Sequence, residues 1–175
     1  MSDLRGVERS IEASARQTAK PSLAEVGERA YHGPMAPDDG LTYHEMAAEA
    51  REEVLARAAS ALASCERVRL AWAYGSFLSD RPFGDIDIGV QFYGAPHWDD
   101  PGDVARRIWE AIGRPPWDVD VVPLNDATAF FREKVADEGR LLFEREPGEA
   151  VEFEGLAATE VIELAEWKRI QEGGG

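Results

Sequence analysis

From about residue 42 onward, apolar and polar positions follow two rhythms, one helical and one alternating. Leu55, Ala58, Ala59 and Leu62 share a helical face behind Thr42-Tyr43-His44-Glu45, which has the spacing of a capping box, and together they predict a helix from about Tyr43 to Ser64. Val68, Leu70, Trp72 and Tyr74 then alternate with Arg69, Ala71 and Ala73, predicting a strand with one face in the core that ends at Gly75. Ile86, Ile88 and Val90 against Asp85, Asp87 and Gly89 give a second strand running on to Phe92. Asp100 is the predicted cap of a helix with Pro101 at its first position. Val104, Ile108, Trp109 and Ile112 form its buried stripe, and Gly113 stops it. A third strand spans Trp117 to Leu124. Asn125 or Asp126 is then the predicted cap of a helix that carries Phe130, Phe131 and Val135 to about Gly139, and Leu141-Leu142-Phe143 adds a short edge strand. After Pro147 and Gly148, a last helix offers Leu156, Val161, Leu164 and Trp167 for packing.

The pattern divides the chain into three parts: an N-terminal arm and linker at 1–41, a domain at 42–146 and a helical extension at 147–175. The arm lacks sustained periodicity apart from a capping-box-like Ser22-Leu23-Ala24-Glu25, and Gly33 to Gly40 reads as its linker. A length of 175 residues suits one ordinary domain with an extension. Apolar residues make up 44% and charged residues 30%, which fits a folded globule and excludes burial in a membrane. No apolar run reaches the ~20 residues that cross a bilayer, and the N-terminus lacks a signal peptide's apolar stretch. Cys65 is the one cysteine, so no internal disulfide forms; among small helical residues it reads as a buried or half-buried thiol. These features predict a cytoplasmic protein. A formal charge of −15 repels phosphate backbones and argues against direct DNA or RNA binding over a broad basic surface.

Chemistry concentrates in Trp72 to Val90: a strand, a Gly-Ser turn, a short loop, then a strand that opens Asp-Ile-Asp. Phosphoryl and nucleotidyl transfer chiefly need cations that neutralise a triphosphate and align the attacking oxygen. Magnesium prefers hard oxygen ligands. Asp85 and Asp87, two apart on a strand, aim both carboxylates at one face, while the isoleucines between and after them anchor the other face. Gly75 permits a sharp turn and close approach to a phosphate, and Ser76 can cap the following turn or donate to the phosphates. Asp120, set in the apolar Val119-Asp120-Val121-Val122, is the candidate third carboxylate, because a charge embedded in an apolar strand calls for a partner or a metal. Asp118 lies on the same strand face and is the alternative.

The order Gly75-Ser76, eight intervening residues, Asp85-Ile86-Asp87, then Asp120-Val121-Val122-Pro123-Leu124-Asn125-Asp126-Ala127 and Glu138-Gly139-Arg140-Leu141-Leu142-Phe143-Glu144 resembles the minimal nucleotidyltransferase (MNT) proteins of the polymerase-β superfamily. The likeness covers roughly Val68 to Glu146. It implies an α/β (α+β) polymerase-β-like nucleotidyltransferase core, a mixed sheet flanked by helices. It implies two Mg²⁺ ions held by Asp85, Asp87 and Asp120, with Gly75 and Ser76 gripping the triphosphate of ATP or another NTP. It further implies transfer of NMP to a hydroxyl acceptor. Many MNT proteins are antitoxins paired with a HEPN-type toxin, and some attach AMP to a tyrosine of that toxin. Two other functions stand beside this one: a non-catalytic acidic module that neutralises a partner, and transfer to a small molecule such as an aminoglycoside. His32, His44 and His97 read as solvated, Arg81 as a weak phosphate candidate, and most tryptophans as core.

Overall fold

The computed structural model describes residues 42–173. The predicted arm, with its expected helical turn at Ser22-Leu23-Ala24-Glu25, its expected linker at 33–40 and His32, lies outside them. Helix α1 spans Ala48–Ala63, strand β1 Val68–Tyr74, and a 3₁₀ turn Ser76–Leu78. Strand β2 covers Asp85–Phe92, helix α2 Asp100–Ala111, strand β3 Asp118–Pro123, helix α3 Ala129–Glu138, strand β4 Arg140–Glu144 and helix α4 Glu149–Gly173. The four strands form one mixed sheet in the order β3-β2-β1-β4, with β2 and β3 parallel and the other pairs antiparallel. Leu141-Leu142-Phe143 is indeed an edge strand.

Two cores flank the sheet. Ile86, Ile88, Val90 and Phe92 of β2 meet Ala71 and Ala73 of β1, Val54, Leu55, Ala58 and Leu62 of α1, and Val104 and Ile108 of α2. Leu70 and Trp72 point the other way, against Leu124, Val135 of α3 and Ala150 of α4. Strand β1 is therefore central and covered on both sides, with Leu70 through Ala73 all buried. The expected single core face was too few; small Ala71 and Ala73 serve one face while larger side chains serve the other.

The strand bounds agree closely with the pattern, and the helix starts do not. Helix α1 begins at Ala48 behind Ala47, which makes no side-chain cap. The predicted capping box is instead extended: His44 bridges Phe83, its amide donating to the Phe83 carbonyl at 2.8 Å and its carbonyl accepting in return at 3.0 Å. His44 is buried rather than solvated, its ring against Phe83 and Trp117. Asp100 sits inside the first turn of α2, and its carboxylate accepts from the His97 amide at 2.7 Å and from Arg67 at 2.9 Å. Those partners hold it low in its titration range, against the cost of partial burial.

Neither Asn125 nor Asp126 caps α3. Thr128 does, accepting from the Phe131 amide at 3.3 Å. Asn125 is occupied elsewhere, pinning the end of β2 through bonds to both backbone groups of Phe92 and to the Gly94 carbonyl. Cys65 is buried, as its setting suggested. Trp72 and Trp117 are core, Trp109 is half-buried, and Trp98 and Trp167 are exposed. Helix α4 packs through Ala150, Phe153 and Ala157, anchored by Arg69 to Glu149 and Glu152 and by Arg132 to Glu160. Leu156, Leu164 and Trp167 were expected to pack but stand 60%, 42% and 60% exposed.

Candidate active site

Chain pairing brings the acidic residues together. Two parallel register pairs, Asp85 with Asp118 and Asp87 with Asp120, place four carboxylates on the sheet face that α3 and α4 cover farther along. Paired positions on adjacent strands lie about 4.8 Å apart. Tyr74 is the antiparallel partner of Asp87 on its other side, so Tyr74, Asp87 and Asp120 form a row across three strands. Alternation puts Ile86 and Ile88 fully into the opposite core.

Burial is uneven across this row. Asp85 and Asp87 are half-buried, whereas Asp118 and Asp120 are exposed. The expectation that Asp120 is enclosed is corrected: Val119 and Val121 point to the other face, so apolar neighbours in sequence do not enclose its carboxylate. Burial, then the charges of Asp85 and Asp120, push the Asp87 carboxyl up to about 6. Tyr74 is raised to about 12 by burial and by the charges of Asp87, Asp120 and Asp85, so its phenol stays protonated.

The ion pairs of the described residues all lie elsewhere and leave these carboxylates without a Lys or Arg counter-charge. Among the described residues no three His, Cys, Asp or Glu side chains are gathered as metal ligands. The register supplies proximity; the side chains are not drawn to a common point. Hard oxygen donors on one face, in no ion pair with a Lys or Arg among the described residues, are nonetheless the donor set that Mg²⁺ takes.

Gly75 stands directly against Asp87. Its φ of +80° lies in the region glycine favours, and a methyl group here would collide with the Asp87 carboxylate. Ser76 opens the 3₁₀ turn, where its carbonyl accepts from the Ser79 amide and hydroxyl at 3.1 and 2.8 Å. Both Gly75 and Ser76 are exposed. A cavity of about 310 Å³ opens beside Gly75, lined by Tyr74, Leu78, Phe131, Lys134, Val135 and Glu138. Lys134 is the one cation in that lining.

Sequence reasoning missed Tyr74 and Lys134 as site neighbours, since only chain pairing and the α3 crossing bring them there. It also missed Arg51, which is 7% exposed. Arg51 does carry a legible signal: with Leu55, Ala58 and Leu62 it completes a helical stripe, an arginine where an apolar residue belongs. Arg81, the weak phosphate candidate, is exposed, and its carbonyl accepts from Arg51.

Residues 57–148 match the family described as Polymerase beta, Nucleotidyltransferase. Two solved structures share the fold. One is a chain from a tri-AMPylated Shewanella oneidensis HEPN toxin in complex with MNT antitoxin, 20% identical, covering 70% of this chain and 97% of that one at a TM-score of 0.54. The other comes from a toxin–antitoxin complex with AMP-PNP, 21% identical, covering 68% and 96% at a TM-score of 0.54. No curated protein matches the chain. Among the described residues no helix is long and apolar enough to cross a membrane.

Proposed function

The chain belongs to the polymerase-β nucleotidyltransferase family, and on that premise we propose that it transfers AMP from ATP to a hydroxyl of a HEPN-type partner protein, acting as the antitoxin of the pair. The observation that carries this reading is the row of Tyr74, Asp87 and Asp120 across three paired strands, with Gly75 closed against Asp87 at its end. The two solved complexes favour the partner, one holding an AMPylated HEPN toxin and the other a nucleotide analogue.

Asp85, Asp87 and Asp120 would hold two Mg²⁺ ions, which supply the positive charge that a triphosphate needs beside an acidic face. Gly75, whose missing side chain makes way for the Asp87 carboxylate, brings the backbone of the turn up to the acidic row, and Ser76 offers an amide and a hydroxyl to a phosphate there. Tyr74, kept protonated, serves as a hydrogen-bond donor and not as a base. The acceptor oxygen attacks the α-phosphorus in line, a new P–O bond forms, and the bond to the pyrophosphate oxygen breaks. Asp120 is the most open of the three carboxylates and can take the acceptor's proton. The protein stays acidic overall, so a basic surface on the partner would be drawn to it.

Incubation with α-labelled ATP, Mg²⁺ and the HEPN-type partner should label that partner, and Asp87→Ala should abolish the label. Equal labelling by the wild type and this variant would overturn the proposal. A second reading, neutralisation by binding alone, has in its favour the exposed Leu156, Leu164, Trp167 and Ile170 of α4. It requires that Asp85→Ala neutralise the partner as well as the wild type does.

A further inference from the structure

The loop that links the Gly-Ser turn to β2 has little of its own to hold it. Within residues 75–82 the bonds are local: the Leu78 amide to the Gly75 carbonyl at 3.3 Å, the Ser79 amide and hydroxyl to the Ser76 carbonyl, and the Arg81 amide to the Ser79 hydroxyl at 3.3 Å. Phe77 anchors the loop by burial, edge-on to Phe83. Among the described residues, the polar bonds tying residues 76–82 to the rest of the fold come from Arg51 of α1. Its Nη1 donates to the Phe77 carbonyl at 2.7 Å and its Nη2 to the Arg81 carbonyl at 2.8 Å, so one planar group clamps both arms of the loop. Its Nε donates to the Met46 carbonyl at 3.1 Å, fixing the guanidinium to the segment just ahead of its own helix. The rings of Phe77 and Phe83 flank it at 5.4 and 5.0 Å.

This arrangement is costly as a packing device. Burial disfavours the Arg51 cation and the nearby Asp80 charge offsets that only in part, so a guanidinium bonded to three neutral carbonyls is a poor substitute for an apolar side chain if stability alone is at stake. What the fork provides is geometry: three donors in a fixed plane, meeting three carbonyls, one from the segment ahead of α1 and two from the loop. The group it immobilises is the turn that presents Gly75 and Ser76. We propose that Arg51 is a positioning residue for the nucleotide, holding the 75–82 loop so that its backbone meets the triphosphate without having to be ordered at each binding event. This rests on the nucleotidyl-transfer reading above.

The test compares Kd for AMP-PNP with Mg²⁺, by calorimetry, for the wild type, Arg51→Met and Leu62→Ala. Leu62 lies in the same core about three turns along α1 from Arg51, so it controls for lost stability. Arg51→Met should weaken binding about ten- to a hundredfold, while Leu62→Ala should lower Tm and leave Kd unchanged. In labelling assays the same defect should raise KM for ATP more than it lowers kcat at saturating nucleotide. Arg51→Lys keeps the charge but cannot span three carbonyls; it should bind nearly as weakly as Arg51→Met, and it carries the test alone if that variant fails to fold. An Arg51 variant that loses Tm yet binds as the wild type does would show a purely structural arginine and overturn the inference. Failure of the wild type to bind AMP-PNP would be a different result, removing the nucleotide reading itself.

Discussion

Asp87 bears the sharpest conflict between folding and chemistry in this chain. Its neighbours Asp85 and Asp120 share its sign, it is half-buried, and a Gly75 that admits no side chain closes over it. Because folding raises this carboxyl from an ordinary value near 4 to about 6, the fold favours its protonated form. The stability it contributes is complete below about pH 4 and is lost as pH rises through about 6. In EDTA, the wild type should therefore lose stability over that window, and Asp87→Asn should flatten the decline and raise Tm by a few degrees at pH 7.5. The same substitution should abolish transfer, the expected exchange of stability for function at an active site. Thermal melts from pH 4 to 8 give the comparison; parallel curves for the two proteins would mean the row is not electrostatically strained.

At the level of elements, what was legible depended on how local the cause was. Strands β1, β2 and β3 were visible because alternation is written into successive residues, and parallel pairing of β2 with β3 then brought Asp87 and Asp120 side by side. Caps were misplaced because a short polar side chain can serve several masters: Asn125 was claimed by Phe92 and Gly94, and Thr128 was left to receive the Phe131 amide. His44 was hidden for a related reason, since its partner lies across the loop and not along the chain; Arg51, whose place in the α1 stripe was legible, has its Phe77 and Arg81 carbonyl partners there as well. The exposure of Asp120 could not be read from its apolar neighbours, because on a strand those neighbours face the other side. Thr128→Ala should cost about 1 kcal/mol in urea unfolding, as loss of a helix cap does. Asp126→Ala should be nearly neutral. Reversed sizes would restore the cap that the sequence pattern proposed.

On the scale of the whole molecule, α4 divides into an anchored half and an unburdened one. Ala150, Phe153 and Ala157 seat its first turns on α3 and β1, and Glu160 closes that contact with Arg132. Beyond Val161 the helix keeps Ile162, Leu164, Trp167 and Ile170 at 42–67% exposure, with Lys168 over the Phe130 ring as a remaining contact with the body. Tyr74 of the acidic row packs edge-on to Phe131, one residue from the Phe130 that Lys168 covers, but none of the exposed outer residues of α4 lines the cavity beside Gly75. A chain ending at Val161 should thus keep its stability to within about 0.5 kcal/mol, the range of surface changes, and should show the same thermal shift as the full chain at equal AMP-PNP and Mg²⁺, since a ligand selective for the folded state raises its stability by an amount set by its concentration and affinity. If Tm collapses instead, the outer turns of α4 belong to the core despite their exposure. If Tm holds but the nucleotide shift vanishes, the nucleotide reaches farther across the face of α3 than the cavity beside Lys134 implies.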